Sequence, residues 1–278
     1  MIIIDYNGIA VGNVITQRLD LQEDLIRHMI LNTIRMYNVK FKDNYGPEVV
    51  IALEGGSWRK DYFPQYKANR KKSRDKDTMD WDKLYEIINK VADEIKENFP
   101  YKVIKVDKAE ADDIIGVLCA ETQEFGKHDK VMIVSADKDF IQLQEGTTNI
   151  QQYSPMTKKF ITGSSPDYLF EHICKGDTSD GVPNILSGDN FLVDGIRQKP
   201  MTKKKIAAWL DHFTEMPVEV QRNYYRNRRL IDLSYVPEEI KESIISKYDS
   251  TKIASRSKIL NYLIKNRCKM LMDCIQDF

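Results

Sequence analysis

Residues 131–140, VMIVSADKDF, begin as an unbroken apolar run and end with two aspartates one residue apart, Asp137 and Asp139. A run that is apolar at every position suits a strand covered on both faces. Two carboxylates so close repel each other unless a positive charge lies between them. Three further runs of strand length share the pattern: IIID (2–5), EVVIAL (48–53) and YKVIKV (101–106). Between them, LQEDLIRHMILNTIRMY (21–37), WDKLYEIINKVADEIKENF (81–99) and EADDIIGVLCAETQEF (110–125) carry apolar residues at helical spacing. This alternation predicts an α/β core over residues 1–165, with a mainly parallel central sheet and helices on both faces. Beyond residue 165 the strand signal fades, and segments such as MTKKKIAAWLDHF and PEEIKESIISKY predict a helical C-terminal region, 166–278.

The chain of 278 residues is 42% hydrophobic and 30% charged, the balance of a soluble globular protein large enough to bury a substantial core. No apolar stretch approaches the roughly 20 residues of a membrane span. The opening MIIIDYNGIA lacks the basic start and long apolar middle of a signal peptide. A cytoplasmic protein with no membrane association is therefore expected. Four cysteines without a CxxC pair and four scattered histidines argue against a zinc site and for free thiols in a reducing compartment. Formal net charge is +0, yet WRKDYFPQYKANRKKSRDK (58–76) is strongly basic with interleaved aromatics, while the acids cluster elsewhere. The total hides this polarity.

Ligands of parallel α/β sheets bind outside the carboxyl ends of the strands. There Asp5 closes the first run, Glu54 the second, Glu110, Asp112 and Asp113 follow the third, and Asp137 and Asp139 the fourth. Asp177 and Asp180 add a further pair in KGDTSDGVPNI. Any one of these aspartates, taken singly, reads as a helix cap or turn residue. Four successive strand ends with carboxylates do not, because an uncompensated cluster costs several kcal/mol. Hard oxygen donors without His or Cys select Mg²⁺ or Mn²⁺. So many carboxylates suit two ions about 3.5–4 Å apart, the arrangement that serves phosphodiester cleavage. The basic segment begins just past Glu54; its cations can hold phosphates, and Tyr62, Phe63 and Tyr66 offer faces for bases. A solvated charge run is the bland alternative. A second basic group, Lys203, Lys204 and Lys205, precedes a helical pattern and can track duplex phosphates; a solvated helix end explains it nearly as well.

The ordered set IIIDYNGIA, EADDIIG, SADKDF and KGDTSDGVPNI, supported by WRKDYFPQYKANR, QQYSPMTKKF and RRLIDLSYVPEEI, resembles the flap endonuclease family of 5′ nucleases, in particular its T-even bacteriophage ribonuclease H branch. The likeness runs over nearly the whole chain. It implies a two-metal 5′ nuclease acting on DNA junctions, 5′ flaps and RNA–DNA hybrids, with removal of lagging-strand RNA primers as the task in a phage-infected cell. By position, Asp5, Glu54, Glu110, Asp112 and Asp137 match one metal group, and Asp139, Asp177 and Asp180 the other. The basic segment matches an arch over the active site. Arg59 and Lys67 match cations at the scissile phosphate, Tyr66 a stacking aromatic, and Arg70 and Lys71 lie among the arch's nucleic-acid contacts. The likeness also implies a helix-turn-helix-like duplex clamp that can hold K⁺, a monomeric chain, and a single-stranded-DNA-binding protein and a sliding clamp as partners. The family carries Asp where Glu54 stands, and the segment after GDTSD is longer and less regular than the family's glycine-rich one. Two other classes compete: a PIN-type endoribonuclease, usually shorter and without the basic arch, and a junction-binding protein with catalysis impaired at Glu54.

Overall fold

The computed structural model describes residues 1–17, 21–70, 77–124, 126–162 and 167–278. In chain order the elements are β1 (Ile2–Asp5), α1 (Tyr6–Gln17), α2 (Glu23–Tyr45), β2 (Val49–Ala52), α3 (Arg59–Tyr62), α4 (Trp81–Asn98), β3 (Lys102–Ile104), α5 (Ala111–Thr122), β4 (Val131–Val134), β5 (Ile150–Ser154) and β6 (Lys159–Ile161). Then come α6 (Tyr168–Lys175), α7 (Lys203–Asp211), α8 (Val218–Ile231), α9 (Glu238–Ser250), α10 (Ser257–Lys265) and α11 (Lys269–Met272). The strands form one six-stranded sheet in the order β3-β2-β1-β4-β5-β6. All neighbours pair in parallel except β5 and β6. No described helix is long and apolar enough to cross a membrane.

The chain packs as two compact units: Met1–Gly56 with Asp80–Thr162 and Pro237–Phe278, and Ser57–Met79 with Gly163–Val236. This partition differs from the single boundary expected near residue 165. The basic segment clusters with the helices that follow the sheet, and the last helices return to the sheet unit. Tyr248 of α9 donates to Glu48 (2.8 Å), which also pairs with Lys102 (3.0 Å), so α9 is tied to the chain entering β2 and β3. Phe99 packs its ring against both Tyr262 of α10 and Phe278, each at 5.2 Å.

Within the sheet unit every residue of β2 and β4 is buried, as are Ile2, Ile3 and Ile4 of β1. Helix α4 forms because Leu84, Ile87, Ile88, Val91, Ala92 and Ile95 fall on one buried face and Asp80 caps its start, accepting from the Lys83 amide at 3.0 Å. Burial leaves the Cys119 thiol pushed up to about 12, an inert interior group; Cys174 and Cys268 are free and buried as well. One charge is enclosed at this face: Arg27 of α2 is 2% exposed and forks onto Glu94 of α4 through Nε at 2.8 Å and Nη2 at 3.0 Å, with Glu23 sharing Nη2 and Asp24 on Nη1. Tyr262 donates to the same Glu94 at 2.6 Å, so three helices share this network.

Arg27→Met keeps the alkyl stem and removes the guanidinium. Because it strands the facing carboxylates, it should cost about 3 kcal/mol in urea unfolding at neutral pH. The Glu23 carboxyl lies below its ordinary 4.5 because Lys90 and then Arg27 donate to it. For Glu94, burial opposes ionisation, but Arg27 and Tyr262 outweigh it and the value is again lowered. Depressed carboxylates contribute stability in full above the ordinary value and lose it as pH falls through the lowered one. The gap between parent and variant should therefore shrink below about pH 4.5; a gap unchanged in acid would assign the loss to packing.

Candidate active site

The parallel register brings the strand ends level: Asp5 pairs with Ala52, Ile4 with Val134, and Ala52 with Ile104. Neighbouring strands lie about 4.8 Å apart, so the segments leaving β3, β2, β1 and β4 start from one continuous rim. The chain runs from β1 to β2 to β3 on one side and then crosses to β4 on the other side of β1. That reversal opens a crevice at the carboxyl end of β1, where Asp5 sits.

Each rim residue is held by identifiable contacts. Asp5 accepts from the Gly8 amide (3.0 Å) at the start of α1 and from the Ser135 hydroxyl (2.8 Å). Ser135 Oγ also accepts from the Asp137 amide (3.1 Å), so one hydroxyl links the segments after β1 and β4. The Asp137 side chain accepts from the Asp139 amide (2.9 Å) and is itself exposed. Gln152, wholly buried on β5, donates to the carbonyls of Ser135 (3.0 Å) and Asp137 and thereby fixes the turn that carries both aspartates. On the other side, Gly55 donates to Ala109 (2.8 Å) and its carbonyl accepts from Lys108 (3.0 Å), so the loops bearing Glu54 and Glu110 are zipped together. A Cβ on Gly55 would stand 1.8 Å from the Val106 carbonyl, so only glycine permits this approach. Glu54 is exposed, and Glu110 is 3% exposed at the start of α5. Asp113 accepts the Glu110 amide at 2.9 Å and leaves the neighbouring Asp112 half-buried in the same first turn. The segments at and beyond four neighbouring strand ends thus carry Asp5, Glu54, Glu110, Asp112, Asp137 and Asp139. All are oxygen donors, and the set contains no His or Cys, which suits Mg²⁺ or Mn²⁺. Neither Ser135 nor Gln152 is marked as a site residue by the sequence, because IQQYS does not read as a buried strand and a lone serine after an apolar run is common.

Asp177 and Asp180 belong to the second unit. Asp177 accepts from the amide and hydroxyl of Ser179, both at 2.7 Å, closing a tight turn. Asp180 is 8% exposed and accepts from Tyr66 (2.8 Å) and Arg70, with the Lys67 ammonium 3.4 Å away. Its carbonyl takes the Lys67 amide at 2.7 Å. This holds Lys67 at φ 58, a left-handed backbone that costs a non-glycine residue energy. Gly181, at φ +74, lets the turn approach: a Cβ there would meet the Gln65 carbonyl at 2.9 Å. Burial alone would raise the Asp180 carboxyl, but Lys67, Arg70 and the Tyr66 hydroxyl outweigh it and hold it below the ordinary value.

Two expected roles in the basic segment are corrected. Tyr66 is 4% exposed in the unit's apolar cluster, and its hydroxyl is spent on Asp180, so its faces are closed to a base. The aromatic that is open is Tyr62, 40% exposed, with the Arg229 guanidinium 4.3 Å from its ring centre. Arg59 is 2% exposed, donates to the Leu230 carbonyl at 2.7 Å and lies 4.7 Å from the Trp58 ring, which makes it an internal tie instead of a phosphate contact. Lys71 lies outside the described residues. Lys203, Lys204 and Lys205 are exposed in the first turn of α7, where Thr202 caps the helix by accepting from the Lys205 amide at 3.3 Å. Cations at a helix N-terminus oppose the helix dipole, so this placement does not serve the helix itself.

A largely parallel sheet with carboxylates at neighbouring strand ends is a frame shared by several enzyme classes, nuclease cores among them. A family model described as "5'-3' exonuclease, N-terminal resolvase-like domain" matches residues 4–171, and one described as "T4 RNase H, C terminal" matches residues 163–278. The chain is 34% identical to the ribonuclease H of Enterobacteria phage T4, over 99% of this chain and 95% of that protein. It is 28% identical to the exonuclease of Escherichia phage T7, over 66% of this chain and 58% of that one. The bacteriophage T5 D15 flap endonuclease, solved with DNA and metal ions, shares the fold at TM-score 0.61 and 15% identity, covering 90% of this chain and 99% of that one. The chain belongs to the 5′–3′ exonuclease family, and as an enzyme it is a phosphodiesterase of the 5′ nuclease class.

Tyr66→Phe removes one hydrogen bond to a buried carboxylate and should cost about 2 kcal/mol at neutral pH. Asp180 is depressed below 3.8, so its contribution is complete above that value and fades as pH falls through the lowered one. Urea unfolding across acid pH should show the two proteins converging below about pH 4; a constant difference would detach Tyr66 from the Asp180 charge.

Proposed function

We propose that this protein is a metal-dependent 5′ to 3′ exonuclease and flap endonuclease on DNA and RNA–DNA duplexes, which removes RNA primers during phage lagging-strand replication in the bacterial cytoplasm. The observation that carries it is the set of carboxylates on four adjacent parallel strand ends at the switch point. Asp5, Glu54, Glu110, Asp112 and Asp137 would hold one Mg²⁺, and Asp139, Asp177 and Asp180 are proposed as ligands of a second ion. When bound, such ions make water a competent nucleophile and stabilise the leaving oxygen of a phosphodiester.

The chain's own residues do the rest. Ser135 and Gly8 orient the Asp5 carboxylate, and Gln152 fixes the turn that presents Asp137 and Asp139. Lys67 and Arg70, steadied by Asp180, are the cations offered to the phosphate of the strand being cut. Tyr62 is the platform for an unpaired base, with Arg229 behind it. The exposed Lys203–Lys205 turn would follow duplex phosphates. A monomer is proposed, with a single-stranded-DNA-binding protein and a sliding clamp as partners at the fork.

The test is single-turnover cleavage of a 5′-labelled flap by the parent and Asp137→Asn, with Mg²⁺, with EDTA, and with single-stranded RNA alongside. The parent should cut the flap only with metal, and Asp137→Asn should lose cleavage while still binding the junction. In metal-free buffer the variant should melt no lower than the parent, because one of a set of repelling charges is gone. Mg²⁺ should raise the parent's midpoint more than the variant's. Near-normal turnover by Asp137→Asn would overturn the metal reading, and cleavage confined to RNA would favour a PIN-type ribonuclease.

Tyr62→Ala should weaken binding to the single-stranded arm by about tenfold, within the 1–3 kcal/mol of a base–aromatic stack. Fluorescence anisotropy on flap and blunt duplexes separates the cases: an equal loss on both would make Tyr62 a general contact instead of a stacking platform.

A further inference from the structure

The segment between α6 and α7, residues 176–202, has turns and no regular helix. It is the segment in which a K⁺-holding duplex clamp was expected. Its order comes from α8, whose Asn223, Arg226 and Asn227 are 2%, 3% and 0% exposed although all are polar. These side chains point into a group of backbone carbonyls. Asn227 Nδ2 donates to Ile173 O (2.9 Å) and Pro183 O (2.8 Å), and Asn223 Nδ2 to Ile185 O (3.0 Å). Arg226 donates through Nη2 to Pro183 O (3.1 Å) and through Nη1 to Ser187 O (3.4 Å). The guanidinium completes its bonds on Asn227 Oδ1 (2.9 Å) and Asp189 (2.6 Å), and Asp189 is shared with Arg222.

A monovalent cation bound by backbone needs carbonyl oxygens that converge with open lone pairs. Here Pro183 O already receives two donors, the full capacity of a carbonyl. Ser187 O likewise receives two donors, Asn223 Nδ2 and Arg226 Nη1, both at 3.4 Å, and Ile185 O receives one, Asn223 Nδ2. The residues present do not fit K⁺. They fit a cation that is part of the chain. From this we infer that the Arg226 guanidinium is the built-in occupant of this carbonyl seat, so that the 176–202 segment is held in place for duplex binding without K⁺. Two arginines against one aspartate leave the seat a formal net charge of +1, which a bound K⁺ would otherwise have supplied. Burial disfavours the charge on Arg226 and outweighs Asp189, the main group that favours it. The wider consequence is ionic. A clamp seated on K⁺ follows the identity of the salt, whereas one seated on Arg226 follows only ionic strength.

The inference rests on the proposed 5′ nuclease reading only for its DNA arm. Thermal midpoints and junction affinities of the parent are measured in KCl, NaCl and choline chloride at matched ionic strength, without divalent metal. Midpoint and affinity should be the same in all three. A midpoint several degrees higher in KCl alone, or several-fold tighter binding there, would overturn the inference. Arg226→Ala empties the seat; it should melt well below the parent and recover part of the loss in KCl but not in choline chloride. A variant that folds and shows no K⁺ preference would reduce Arg226 to packing and overturn the cation assignment. If the variant does not fold, the parent's salt comparison decides alone. Absence of junction binding in every salt would count against the nuclease reading, while the thermal comparison would still decide the occupant of the seat.

Discussion

Everything at the rim depends on the parallel pairing of β1 with β2 on one side and β4 on the other. Parallel strands all end at the same edge, so a residue placed at the end of each is brought beside the others whatever its distance in sequence. The price is repulsion among carboxylates. The fold meets it with a sheet buried on both faces and with local donors to Asp5 and Asp137, the Gly8 and Asp139 amides and the Ser135 hydroxyl. Such bonds favour the ionised form. They also fix where the two carboxylates point.

The sheet and its acids were legible because both follow from local pattern. Apolar runs of strand length are visible in any window, and an acid at the end of a run is one position further on. Strands β5 and β6 were not so marked: IQQYS carries polar residues at three of five positions, and its burial comes from neighbours that no window shows. The division into units was illegible for the same reason. Both 203–236 and 237–278 read in sequence as helical segments with polar links. The difference lies in long-range partners, Glu48, Phe99 and Glu94, which receive Tyr248 and Tyr262.

The basic segment shows the limit most clearly. In sequence Arg59, Lys67 and Arg70 are three similar cations, and Tyr62 and Tyr66 two similar aromatics. Folding sorts them by what lies opposite. Asp180 collects Tyr66, Lys67 and Arg70, while Leu230 and Trp58 enclose Arg59. Tyr62 keeps an open face because its partner, Arg229, is itself a surface cation. Burial of a charged or phenolic group therefore depends on partners supplied from more than a hundred residues away. Spacing within the segment carries no trace of them.

Glu54 joins these threads. A glutamate reaches one methylene beyond the aspartate found in the family, and a loop free to shift could absorb that length. This loop is not free: Gly55 is bonded in both directions to the segment that carries Glu110, at a distance only glycine allows. The backbone under Glu54 is therefore set by β3 as much as by β2. The extra length must be taken up by the side chain, which is exposed and has room to fold back or to act through a water. A bound Mg²⁺, as proposed, would accept either, because that ion keeps several waters and needs only one or two direct carboxylates. Because the rim is rigid, it is the side chain of Glu54 and the water shell of the proposed ion that would have to absorb the extra methylene.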